Sequence, residues 1–157
     1  MALKEELKLK KGFSIVEHET ALNVYFTAAC LKKRADVFFR TFGLTDVQFN
    51  VMMLLVYQTG PEGGLSQAQL SDMMLVNRAN VTTLIDRMEK AGLVVRTSDS
   101  ADRRTNIIKL TAKGKNLYTK AEPDYDQQIK KMMAGLNQSE QKKLISTLEK
   151  VRADLKG

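Results

Sequence analysis

One cysteine and one histidine in 157 residues exclude several chemistries at once. Cys30 has no second thiol for an intramolecular disulfide, and His18 alone cannot seed a His/Cys metal cluster, so a zinc or other metal site is not expected. Tryptophan is absent and proline occurs twice. The longest unbroken apolar stretch, Val51 to Tyr57, is far short of the roughly 20 residues that cross a bilayer. The N-terminal Met-Ala-Leu-Lys-Glu-Glu carries acidic side chains and no apolar signal core. A protein of the reducing cytoplasm is the expectation. There is no glycine-rich phosphate loop and no nucleophile, base and orienting group in sequence register, which argues against an enzyme and against a bound cofactor.

What the chain does contain is enough for a core. Hydrophobic residues make up 43% and charged residues 27%, a balance that folds and stays in water. The net charge of +7 is unevenly placed. Residues 1–75 hold 8 basic and 8 acidic side chains, residues 76–115 hold 9 and 4, and residues 116–157 hold 8 and 6. The excess therefore sits mainly in the middle 40 residues, as expected of a nucleic-acid surface, although solvated charge alone can produce the same bias.

Periodicity predicts a first helix from Thr20 to Phe42, ended by Gly43, and a second opened by a Thr45–Gln48 capping box and running to Gln58. Thr59 to Gly64 reads as loop. Ser66 and Gln69 form another capping box before a short helix ending near Met74, and Asn77 caps a helix from Arg78 to Ala91, stopped by Gly92. Leu93–Thr97 and Thr105–Leu110 are β-prone and flank a charged tip, a hairpin. A long helix then runs from Thr111 to Leu136, with Pro123 kinking or breaking it near Glu122, and a last one starts at Asn137 with Glu140. The architecture expected is mainly α with a small β-hairpin wing: a winged helix-turn-helix over residues 43–114, flanked by helical regions 1–42 and 115–157.

The apolar positions Val81, Leu84, Ile85 and Met88 set the buried face of the Arg78 helix. At about 100° per residue, Ala79, Thr83, Asp86 and Lys90 lie opposite, with Asn80, Thr82 and Arg87 on the flanks. Asn77, Arg78, Ala79, Asn80, Thr82, Thr83 and Arg87 are the candidates for a major groove, where asparagine can pair with adenine, arginine with guanine and a threonine methyl with thymine. At the hairpin tip, Arg103 and Arg104 can enter a minor groove while Asp102 holds an arginine in orientation.

From Leu44 to Gly114 the sequence resembles the MarR family of winged-helix transcriptional regulators. The resemblance rests on Leu44-Thr45 with Gln48-Phe49, on Leu70, Val76 and the Asn77–Val81 turn, and on Asp86-Arg87-Met88-Glu89-Lys90-Ala91-Gly92-Leu93-Val94. It is strongest at Asp102-Arg103-Arg104 followed by Leu110-Thr111 and Lys113-Gly114. It implies that Arg104 is the wing arginine inserted in a minor groove, oriented by Asp102, and that the terminal helices interlock two copies. The surplus apolar residues Phe38, Phe39, Phe42, Leu144, Leu148 and Val151 would form that interface.

The resemblance implies a repressor released from a pseudo-palindromic operator by an effector, often a small aromatic molecule. Tyr25, Phe26, Phe49 and Met53 are the candidate walls of such a pocket, with plain core packing as the alternative for each. Cys30, among Ala28, Ala29 and Leu31, is expected to be buried and inert, and His18 exposed near the start of the first helix. The competing function is a protein-interaction winged helix with incidental DNA affinity.

Overall fold

The computed structural model describes residues 2–58, 63–74, 77–98 and 105–156, the last without its side chain. Its elements, in order, are α1 (Leu3–Glu6), α2 (Val16–Arg40), α3 (Asp46–Tyr57), β1 (Leu65–Ser66), α4 (Gln67–Met74), α5 (Arg78–Lys90), β2 (Val94–Ser98), β3 (Asn106–Leu110), α6 (Ala112–Met132) and α7 (Gln138–Lys156). The chain divides into two compact units, Met1–Tyr118 and Thr119–Gly157.

The core of the first unit lies where α3 meets its neighbours. α3 is apolar nearly all round and buries Phe49, Val51, Met52 and Leu55, as a helix hydrophobic on every face must. Phe49 is stacked against Phe39 at 4.3 Å and against Tyr118 at 5.2 Å between ring centroids. Such offset aromatic pairs contribute about 0.5–1.5 kcal/mol beyond the area they bury. The start of α3 is fixed by the capping box: Thr45 Oγ1 accepts from the Gln48 N–H and the Gln48 side chain accepts from the Thr45 N–H.

A three-stranded antiparallel sheet, ordered β1-β3-β2, closes the same unit. Val94 pairs with Leu110 and Ser98 with Asn106, while Leu65 and Ser66 add a two-residue strand on the other edge of β3. β1 is a correction to the sequence reading, which put no strand before α4, because two residues are too few to show a period. Ser66 serves twice, in the sheet and as the cap of α4, with its Oγ accepting from the Gln69 N–H at 3.2 Å.

Two helical expectations also change. α2 begins at Val16 rather than Thr20, whose hydroxyl instead donates back to the Val16 carbonyl at 2.9 Å. Glu17 and Glu19 in its first turn suit the positive end of the helix dipole. α6 continues through Pro123 without the break that was one of the two expectations; the proline removes one N–H from the ladder and leaves the helix assigned on both sides of it. α6 stops at Met132, four residues before the expected end at Leu136. In the second unit, Asn137 and Glu140 exchange backbone and side-chain hydrogen bonds at 3.0 and 2.8 Å and open α7.

The 25 residues of α2 extend about 37 Å, yet only Ala35 and Phe39, near the C-terminal end, are buried. On α7, Leu144, Ile145, Val151 and Leu155 are exposed.

Candidate nucleic-acid interface

α5 is built with one dry face and one wet one. Val81, Ile85 and Met88 are fully buried and Leu84 partly so, while Arg78, Ala79, Asn80, Thr82, Thr83, Asp86, Arg87 and Lys90 are all exposed, matching the 100° rotation argument. Asn77 stands at its N-cap, extended, with its Oδ1 accepting from the Asn80 N–H at 2.9 Å. That leaves the amide nitrogen of Asn77 for other work. Among the described residues, the side chains of Arg78, Asn80 and Arg87 have no hydrogen-bond or ion-pair partner.

The two threonines are less free. Thr82 Oγ1 donates to the Arg78 carbonyl at 2.9 Å and accepts from Gln67 Nε2 at 3.0 Å, so α4 holds that hydroxyl. Thr83 Oγ1 donates to the Ala79 carbonyl at 3.2 Å. Bonded this way, a threonine offers its methyl rather than a hydroxyl proton.

The far end of α5 is tied to β2. Arg96 Nη2 meets Asp86 Oδ1 at 2.5 Å, Arg96 Nη1 meets Glu89 Oε2, and the Arg96 backbone N–H donates to Glu89 Oε1 at 3.1 Å. Burial opposes the charge of Arg96, but the bonds to Asp86 and Glu89 more than offset it and hold its pKa above the ordinary arginine value. Asp86, placed among the groove-facing positions by rotation alone, is thereby engaged.

A second tie fixes the turn after α5. Gly92 adopts φ +70°, the left-handed conformation that ends a helix cheaply only for glycine. Lys113 Nζ donates to the Ala91 carbonyl at 2.6 Å, Thr111 Oγ1 donates to the Gly92 carbonyl at 2.6 Å, and the Gly114 N–H donates to Thr111 Oγ1 at 3.0 Å. The Leu-Thr-x-Lys-Gly run is thus a clamp on the C-terminus of α5. Arg96 and Gln67 carry no mark in the sequence, and Lys113 stands there only in the family run; the Asp86-to-Arg96 spacing, straddling a helix stop and entering a strand, is the signal that points to the first.

Asp102, Arg103 and Arg104, together with Val76, lie outside the described residues. The described strands β2 and β3 lead to the segment that holds the three tip residues.

The remaining candidates separate. Tyr25 is 74% exposed on α2 and Phe26 and Met53 are partly exposed, but Phe49 is 2% exposed. Phe49 is corrected to a core residue, since its ring is taken up by Phe39 and Tyr118. A groove of about 340 Å³ runs along α2, lined by Ala29, Lys32, Lys33, Asp36, Val37 and Arg40, and none of the four pocket candidates lines it. Phe39, expected to face a partner, is 1% exposed inside its own chain, whereas Phe38 and Phe42 are partly exposed and in ring contact with each other at 5.3 Å. Leu144 and Val151 are exposed and Leu148 partly so. Cys30 is exposed, against expectation: it precedes Phe39 by nine residues, which is about half a turn around the helix from the packed face. His18 is exposed, edge-on to Phe13 at 5.8 Å. Among the described residues no three His, Cys, Asp or Glu side chains converge as metal ligands, and no helix is long and apolar enough to cross a membrane.

Residues 42–105 match the sequence model of the MarR family. The chain is 32% identical over 146 residues to the uncharacterised HTH-type transcriptional regulator YkoM of Bacillus subtilis, covering 90% of this chain and 92% of that one. Its fold is shared with AbsC, a MarR family transcriptional regulator of Streptomyces coelicolor, at a TM-score of 0.82 and 19% identity over 94% of this chain and 99% of that one. It is shared also with a mutant of E. coli MarR solved with operator DNA, at a TM-score of 0.77 and 19% identity over 83% and 91%. These relatives are regulators and not enzymes. On the strength of the family match and of a relative so similar along nine-tenths of its length, the protein belongs to the MarR family of DNA-binding transcriptional regulators.

Proposed function

We propose that the protein is a homodimeric, cytoplasmic repressor that reads a pseudo-palindromic operator with α5 and the β2–β3 wing and leaves it when a small aromatic molecule binds. The observation that carries the reading is that Arg78, Asn80 and Arg87 are exposed and their side chains unpartnered on a helix that buries Val81, Ile85 and Met88 on one face. Residues 43–114 act as the DNA-binding domain, and residues 1–42 and 115–157 supply the dimer contacts. In this reading Arg78 and Asn80 contact base edges, Ala79 and the Thr82 and Thr83 methyls fill space beside thymine, and Asn77 and Arg87 reach the backbone. Arg104 enters the minor groove with Arg103 beside it and Asp102 orienting it. Two α5 helices related by a two-fold axis would address half-sites about one helical turn apart, on the order of 10 base pairs. The solved E. coli MarR complex with operator DNA supports this use of the shared fold.

The dimer is supported by apolar surface that the chain leaves uncovered: Phe38 and Phe42 on and after α2, and Leu144, Leu148 and Val151 on α7. For the effector, Tyr25, Phe26 and Met53 offer accessible apolar surface; Phe49 supports them from the core. Fluorescence anisotropy against the upstream intergenic DNA and a shuffled duplex of equal length, at about 50 and 200 mM salt, tests the proposal. A preference for the native duplex that survives the higher salt is expected; equal, weak and salt-labile binding to both would move a protein-interaction role to the front. Titrating aromatic acids into the complex tests the release step.

A further inference from the structure

Arg96 occupies an odd position for an arginine. Side chains alternate along a strand, so Arg96 shares a face with buried Val94, and its register partner on β3 is Ile108, which is fully buried. Its side chain is only 21% exposed. A guanidinium so placed needs anionic partners, and both come from the last turns of α5: Asp86 and Glu89, three residues apart on one helical face. The backbone N–H of Arg96 adds a third bond to the same Glu89 carboxylate at 3.1 Å. The planar fork therefore spans two carboxylates at once and fixes direction as well as distance, which a lysine could not do.

The two elements it joins are the two that the proposed function places on DNA. α5 holds the base-reading residues Arg78 and Asn80 near its N-terminal end, and β2 carries the wing. We propose that the Arg96 clasp is a positioning device, setting the angle of the wing strand against α5 so that helix and wing can engage adjacent grooves of one operator together. This deepens the DNA-binding reading and rests on it. Arg96 itself touches no DNA in this account, and its fork is spent on Asp86 and Glu89. The clasp acts on specificity: shuffled DNA, held mainly through phosphates, tolerates a misplaced wing, whereas a defined pair of groove contacts does not.

The test compares wild type with Arg96→Met, and with the charge-exchanged double variant Arg96→Glu with Glu89→Arg, by anisotropy on operator and shuffled duplexes across a salt series. In the methionine variant the operator preference should fall roughly tenfold, the range expected when a coupled contact is lost, with affinity for shuffled DNA and the salt slope unchanged. The exchanged pair should recover part of the preference. An unchanged preference would overturn the clasp. So would an equal loss on both duplexes with a salt slope smaller by about 0.9, because Arg96 would then be a phosphate contact itself. Should Arg96→Met fail to fold, Asp86→Asn removes one exposed arm and must still lower the preference, or the proposal falls. Absence of any operator preference in wild type would instead overturn the DNA-binding reading, and the clasp with it.

Discussion

Gly114 lies so close beneath the carbonyl of Leu93 that a Cβ added to it would stand 2.1 Å from the oxygen. The contact brings the first turn of α6 against the turn that follows α5. Leu93 is itself buried, its N–H bonded to the Met88 carbonyl and its oxygen accepting from the Thr111 N–H at 3.1 Å. Backbone on both sides must move to admit a methyl. Gly114→Ala is therefore expected to destabilise the protein by about 1–3 kcal/mol or more, seen as a lowered midpoint in urea. A midpoint within error of wild type would mean that the turn yields freely.

Asn77 carries two assignments that one substitution can separate. Its Oδ1 caps α5, and its place at the proposed DNA-facing end makes it a backbone contact. Aspartate caps as well as asparagine does, so Asn77→Asp should leave the thermal midpoint near wild type while the new negative charge weakens operator binding. Asn77→Ala should cost about 1 kcal/mol of stability. Equal DNA affinity in wild type and Asn77→Asp would remove Asn77 from the interface and leave it a cap.

The junction of α2 and α3 makes stability depend on pH. Asp36 Oδ1 accepts from the Asp46 N–H at 3.2 Å, and Lys32 Nζ donates to both Asp46 carboxylate oxygens at 2.9 Å. The backbone bond from Asp46 lowers the Asp36 pKa below its ordinary 3.8 against a smaller desolvation cost, with Lys32 and Arg40 adding to it. The bond to Asp46 raises Lys32 above its ordinary 10.5. A lowered carboxylate stabilises the fold above 3.8 and loses that contribution as pH falls through the folded value; a raised lysine contributes below 10.5 and loses it as pH climbs through the folded value. Asp36→Asn keeps an acceptor and deletes the charge. Its deficit in urea unfolding should be below about 1 kcal/mol at neutral pH, because the group lies close to water, and should shrink below 3.8 and vanish once pH has fallen through the lower folded value. A deficit independent of pH would show that the charge contributes nothing.

The sequence announced its helices through local signals that physics makes local. Thr45 with Gln48, Ser66 with Gln69, Asn77, and Asn137 with Glu140 each satisfy orphan N–H groups within three residues, so each could be read without the fold. The buried stripe of α5 was legible for the same reason. What escaped depends on distant partners. Ser66 pairs with Ile107, Arg96 reaches back across Gly92 to Asp86 and Glu89, and Lys113 donates to Ala91; no period encodes such meetings. On α2, apolar spacing tells which residues share a face and not whether anything covers it. Phe39 is covered from within and Cys30 is not.

The wing pattern Asp102-Arg103-Arg104 makes Arg104 the minor-groove residue of the proposed interface. If its guanidinium enters the minor groove, Arg104→Ala should weaken operator binding and lessen the salt slope by about 0.9. Asp102→Asn should weaken binding less, since it frees the arginine without removing it. An affinity and slope equal to wild type in Arg104→Ala would take the wing arginine out of the interface.

α7 carries an exposed apolar stripe. Leu144 at 43%, Val151 at 41% and Leu155 at 80% exposure make apolar surface that a lone chain leaves in water, while a stable two-fold interface removes on the order of 1,000 Å² or more from it. Glutamate at Leu144 and Val151 places charges where partner side chains would have to desolvate them, a cost far larger than any helix-propensity change. Each site is already exposed in the single chain, so the effect on protomer folding should be within about 0.5 kcal/mol. Leu144→Glu with Val151→Glu is therefore expected to sediment as a folded monomer at concentrations where the proposed wild-type dimer is assembled. Without the two-fold axis the pair of half-sites cannot be held together, so operator affinity should collapse toward that for shuffled DNA. A double variant that remains dimeric and keeps its operator preference would move the interface off α7.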